Sequence, residues 1–136
     1  MEEKRALVVE DDPDGRAALR ELLREWGYAV EEAADGAGAL ALVRTQRPDV
    51  IVLDLWRGGR EGGPLEVIAR IRADDERAFV VVFSGWHHMQ AATLAAGADA
   101  YVLKPDVDEL QRLLDRPTAP RSQSTRAPRR SSGDGA

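Results

Sequence analysis

Five short runs rich in β-branched residues punctuate the first 115 residues, and segments with helical spacing separate them. The runs are ALVVE (6–10), YAVEEA (28–33), DVIVLD (49–54), AFVVVF (78–83) and AYVLK (100–104). Alternation of this kind constrains the fold strongly. Parallel strands need a long crossover between them, usually a helix, so the pattern predicts an α/β domain with a parallel sheet. The middle runs are near-continuously apolar, as strands covered on both faces must be. Between them, Leu19, Leu22, Leu23 and Trp26 recur at helical spacing, with Asp12-Pro13 as a start signal and Gly27 as a stop. Asp35 can cap a second helix that carries Leu40 and Val43. Pro64 can open a third that turns Leu65, Ile68 and Ile71 inward. Met89, Ala92, Thr93 and Ala96 mark a weaker fourth that ends at Gly97, and Leu110, Leu113 and Leu114 mark a short fifth.

The periodicity stops after Asp115. Residues 116–136 are rich in Pro, Ser and Arg, and they read as a disordered tail behind a single domain over 1–115, with no second domain expected. That tail holds five of the 19 basic residues and one of the 24 acids, which leaves 14 basic and 23 acidic side chains, a net of −9, on the body. An acidic body argues against direct nucleic-acid binding and suits a cation or a basic protein surface. The tail lacks the aromatics and the amphipathic face that nucleic-acid or lipid contact would use. There are no cysteines, so no disulfide or thiolate metal site holds the fold, which is compatible with a reducing cytoplasm. The apolar runs are too short to span a bilayer, and MEEKRALVVE lacks a signal-peptide layout. The expected location is therefore cytoplasmic, without membrane insertion.

Ligands of open parallel sheets bind beyond the carboxyl ends of the strands. The first run ends in Glu10-Asp11-Asp12, the third in Asp54, the fourth in Ser84 and the fifth in Lys104. If the first strand lies beside the third, carboxylates, a hydroxyl and an ammonium converge. Close carboxylates repel and need a compensating charge. Mg²⁺ supplies it through oxygen ligands, typically one or two carboxylates plus phosphate oxygens. Lys104 and Ser84 are then left to meet an anion. Asp54 is the candidate nucleophile, because aspartate can form an acyl phosphate. Asp12 ahead of Pro13 also suits a helix cap, and the two roles are compatible.

These residues carry a resemblance. VVEDDP, VLDL, VVFSG and GADAYVLKP, in this order, resemble the receiver domain of bacterial two-component response regulators over roughly residues 4–115. The resemblance implies a flavodoxin-like fold with five parallel strands in order 2-1-3-4-5 and helices on both faces. It implies that Asp54 takes a phosphoryl group from a histidine kinase or phosphotransfer protein. It places Asp11 and Asp12 in an acid pocket for Mg²⁺, with Asp54 and the backbone carbonyl of Trp56 completing the protein ligands. It gives Lys104 to the phosphoryl group and makes Lys104-Pro105 a cis peptide. Ser84 and Tyr101 become a switch pair that reshapes a face for a downstream protein target. Such a chain catalyses its own phosphorylation and dephosphorylation without being an ordinary turnover enzyme. It would act here as a stand-alone receiver, and its short fifth helix is compatible with monomer or homodimer.

The sequence departs from that pattern in three places. The loop LWRGGREGGP is glycine-rich where the family commonly has a proline, the segment from Ser84 to Lys104 is short, and Trp56 and Trp86 each follow a site residue by two positions. The short segment predicts a trimmed or irregular start to the fourth helix. The two tryptophans are expected to restrict water at the site. His87 and His88 read as exposed polar residues, since no further ligand lies at metal spacing. Two rival functions remain. A Mg²⁺-dependent phosphohydrolase would commonly carry a second acid where Trp56 stands. A pseudo-receiver that only docks partners would not need the acids, Asp54 and Lys104 together.

Overall fold

The computed structural model describes residues 3–55, 63–75 and 77–115. Its strands are β1 (Lys4–Val9), β2 (Tyr28–Ala33), β3 (Val50–Leu53), β4 (Phe79–Ser84) and β5 (Ala100–Leu103). They pair in parallel in the order β2-β1-β3-β4-β5, a flavodoxin-like sheet. The expected strand order and direction therefore hold, with no end displaced by more than two residues. The crossovers are α1 (Pro13–Glu25), α2 (Gly36–Gln46), α3 (Pro64–Asp74) and α4 (Gln90–Ala96), and α5 (Val107–Leu114) closes the described chain. No helix among the described residues is long and apolar enough to cross a membrane.

Strand alternation splits the core into two layers. Leu7, Val9, Ile51, Leu53, Val80 and Val82 face one side, where Leu40 and Val43 of α2 and Val67, Ile68 and Ile71 of α3 cover them. Ala6, Val8, Val50, Val52, Val81, Phe83 and Val102 face the other, against Leu19 and Leu23 of α1 and Leu110 and Leu114 of α5. All four residues of β3 are buried because both layers press on it. Each fully buried Leu or Ile contributes about 1.5–3 kcal/mol relative to exposure, so the two layers dominate the stability.

Local signals set the helix ends. Asp12 caps α1 by accepting the Gly15 amide at 2.8 Å, and Pro13 follows at the start, where a missing N–H costs nothing. Gly27 takes φ 98° just beyond the helix, a conformation that favours glycine. Asp35 caps α2 at Gly38, and Asp106 caps α5 at Glu109. The fourth crossover begins irregularly, as its short sequence predicts: one 3-10 turn, His87–Met89, precedes a seven-residue α4. In α3 the inward set is Val67, Ile68 and Ile71, while Leu65 is half-buried rather than fully inside. At the far end of the sheet, Arg72 ties α3 to the α4–β5 turn. It donates to the carbonyls of Gly97 and Ala78 at 2.9 Å and to Asp99 at 2.7 Å.

Candidate functional site

Sheet hydrogen bonds run past the strand ends and fix where the tips lie. The Glu10 amide donates to the Ala33 carbonyl at 3.0 Å, that of Asp54 to Val9 at 2.9 Å, and that of Lys104 to Ser84 at 2.9 Å. Side-chain parity then sorts them. Glu10 follows Ala6 and Val8, Asp54 follows Val50 and Val52, and Lys104 follows Val102, so all three point toward the layer of α1 and α5. Ser84 shares parity with Val80 and Val82 and starts from the opposite layer.

The side chains meet accordingly. Lys104 Nζ lies 3.3 Å from Glu10 Oε1 and 3.4 Å from Asp54 Oδ1. Glu10, Asp11 and Asp54 each present a carboxylate oxygen within 4.8 Å of the others. Glu10 is the buried member, with 2% of its surface exposed, while Asp54 is partly covered and Asp11 open. Burial pushes the Glu10 carboxyl above its ordinary range, and the neighbouring Asp54 charge adds to the rise. The Asp12 amide, 3.2 Å from Glu10 Oε2, and the Lys104 ammonium pull it back. Three hard oxygen donors on a half-open pocket are a donor set that fits a hard divalent cation, with Asp11 on the solvent side as its entry.

Asp12 is a correction to the sequence reading. Its side chain is not in the carboxylate group; it faces the first turn of α1 as the helix cap. Glu10, one residue before the expected pair, takes that place beside Asp11. The strand places it there: Glu10 keeps the inward parity of β1, whereas Asp12 has already turned into the helix. Trp56, expected to offer its carbonyl, lies outside the described residues, as do Gly58, Gly59 and Gly62 of its loop and residues 116–136.

Ser84 and Tyr101 both bond to the main chain of Trp86, one at its N–H and the other at its carbonyl. Ser84 is buried, and its Oγ accepts the Trp86 amide at 3.1 Å. Tyr101, half-buried on β5, donates its hydroxyl to the Trp86 carbonyl. The Trp86 ring is 44% exposed and stacks on His88, with centroids 5.9 Å apart and planes 12° from parallel. Lys104-Pro105 is cis.

Comparison with known proteins agrees with this geometry. The sequence profile described as "Response regulator receiver domain" matches residues 6–115. The transcriptional regulatory protein PrrA of Mycobacterium tuberculosis is 42% identical over 105 residues, which are 76% of this chain and 44% of that protein. The transcriptional regulatory protein AfsQ1 of Streptomyces coelicolor is 40% identical over 100 residues, 73% of this chain and again 44% of the relative. This chain thus spans about half the length, or less, of these curated relatives. The crystal structure of the response regulator TrrA from Thermotoga maritima, solved with Mg²⁺ and BeF, superposes with a TM-score of 0.76 at 32% identity. The match covers 83% of this chain and 97% of that one. The chain therefore belongs to the response regulator receiver domain family of two-component systems.

Proposed function

We propose that this chain accepts a phosphoryl group on Asp54 in the presence of Mg²⁺ and transmits the added charge to a protein partner. The observation that carries the reading is the position of Lys104 Nζ between Glu10 and Asp54, with Asp11 completing the acid group. Bound there, Mg²⁺ would offset the repulsion of the carboxylates and of the incoming phosphoryl oxygens. The residues that would hold it are Glu10, Asp11 and Asp54.

Asp54 is oriented by its strand and only partly covered, so one carboxylate oxygen can attack phosphorus. As the new P–O bond forms, the bond from phosphorus to the imidazole nitrogen of a phosphohistidine breaks, and that imidazole leaves. Lys104 exchanges a carboxylate partner for a phosphoryl oxygen without moving far. Ser84 then has a reason to rotate, because its hydroxyl can donate to the phosphoryl group. Rotation releases the Trp86 N–H, and so loosens the residue whose carbonyl holds Tyr101. In this reading Ser84 and Tyr101 act as a switch pair because Trp86 links them.

The net charge of −9 on residues 1–115 supports proteins as partners: a histidine kinase or phosphotransfer protein upstream and a protein target downstream. A stand-alone role, in which the chain works without an output domain of its own, is the finest part of the proposal. Immunoblotting of source cells tests it: a band near 14.9 kDa supports it, and one of about twice that mass refutes it.

The receiver reading itself is tested by NMR with Mg²⁺ and fluoroberyllate, an acyl-phosphate mimic. Coordinated shifts at Asp54, Ser84 and Lys104 are expected. Shifts confined elsewhere, or none, would leave a docking module. Sustained hydrolysis of phosphate monoesters would favour a phosphohydrolase instead.

A further inference from the structure

Glu10 is held by its main chain as well as by its side chain. Its amide donates to the Ala33 carbonyl at 3.0 Å, and its carbonyl accepts from Arg16 Nη1 at 2.9 Å. Arg16 is itself anchored, because its Nε lies 3.4 Å from Glu32 Oε1. Arg20 Nη1 holds the other Glu32 oxygen at 2.9 Å. Glu32 and Ala33 are consecutive residues at the end of β2, so the edge strand and the first turns of α1 hold the two peptide groups that flank Glu10. Arg16 and Glu32 are only partly exposed, at 22% and 29% of their side chains, so this is not a loose surface pair.

The peptide whose carbonyl Arg16 holds joins Glu10 to Asp11. Its rotation changes ψ of Glu10 and φ of Asp11, and so swings both carboxylates relative to Asp54. A small hard cation tolerates little error in ligand geometry. From this we infer that Arg16 is a positioning residue of the cation pocket: through the Glu10 carbonyl it sets the angle at which Glu10 and Asp11 meet Asp54. Two N–H groups of one planar guanidinium serve the two partners, the carbonyl and Glu32. A lysine ammonium lacks that fork. The inference rests on the receiver reading, and it adds residues outside the acid group itself.

Other roles for Arg16 predict other outcomes. If it acted only through its charge, its removal would tighten cation binding, since a like charge leaves the neighbourhood. If it were only an ion pair on the surface, stability would change slightly and binding not at all. Loss of positioning weakens binding instead.

The experiment titrates Mg²⁺ into the full chain by calorimetry, for the parent, Arg16→Gln and Arg16→Lys, with amide spectra recorded in EDTA. Arg16→Gln is expected to weaken Mg²⁺ binding by about tenfold, the lower end of what groups behind metal ligands contribute. Arg16→Lys should fail to restore it, and the metal-free spectra should shift at Asp11 and Asp12. Unchanged or tighter binding in a folded Arg16→Gln protein overturns the inference. Should that variant not fold, Arg16→Lys decides: weaker binding than the parent supports the inference, and parental affinity overturns it. A parent that takes up no Mg²⁺ overturns the receiver reading itself, and this inference with it.

Discussion

Substituting Asp12 by alanine separates two tasks that neighbouring acids perform. Asp12 Oδ2 accepts the Gly15 amide at 2.8 Å, and the side chain lies outside the Glu10–Asp11–Asp54 group. Losing the cap should cost about 1 kcal/mol, the typical value for an N-cap acid. For a domain of this size that lowers Tm by about 4 °C. Mg²⁺ affinity should stay close to the parent's, because the three carboxylates remain. Asp12→Asn keeps a capping oxygen and should melt like the parent. Glu10→Gln is the mirror experiment: the cap survives, a buried charge is removed, and cation binding falls sharply while metal-free stability does not. Thermal unfolding in EDTA and calorimetric Mg²⁺ titration on all three variants decide the matter. An Asp12→Ala protein that melts like the parent but loses Mg²⁺ would refute the assignment of Asp12 as cap and Glu10 as pocket acid.

Three further outcomes are expected. The Glu10 carboxyl is raised above its ordinary 4.5, chiefly by burial, so the folded state holds the proton more tightly than the unfolded chain. Its contribution to stability is therefore full below 4.5 and is lost as pH rises through the raised folded value. Urea unfolding in EDTA should show that loss for the parent and not for Glu10→Gln. Arg72→Ala should cost about 3 kcal/mol in urea unfolding, because it strips the charged partner from an Asp99 side chain only 4% exposed; a loss within the error of the measurement would contradict the structure. Trp86→Ala should lose phosphate faster than the parent, since a bulky ring beside the Ser84 loop would no longer restrict water; an unchanged decay rate would end that idea.

The strands were legible because their signal is local. Runs such as VIVL and FVVVF fit strands buried from both sides, and the caps at Asp12 and Asp35 sit within three residues of the amides they bond. The shortened fourth helix was legible once the Ser84–Lys104 segment was set against the pattern that the sequence resembles. Glu10 was harder, because EDDP offers three consecutive acids and proximity in sequence favours none. Strand parity discriminates, since Glu10 lies in step with Ala6 and Val8 and Asp12 opens the helix. Arg16 and Arg72 were not legible at all. Both act through long side chains on carbonyls and acids whose positions depend on the assembled sheet. Nor does periodicity show that Ser84 and Tyr101 both bond to the Trp86 main chain, since that link joins β4 to β5 across a crossover.

The central claim is that Glu10, Asp11, Asp54 and Lys104, brought from three strand ends, make one phosphoryl-accepting site. Intact-mass measurement after incubation with acetyl phosphate tests it most directly, on the parent and Asp54→Asn, each with Mg²⁺ and with EDTA. The account predicts a single phosphoryl gain on the parent, only with Mg²⁺, and none on Asp54→Asn. An equal gain on Asp54→Asn, or a parent that stays unmodified with Mg²⁺ present, would contradict it.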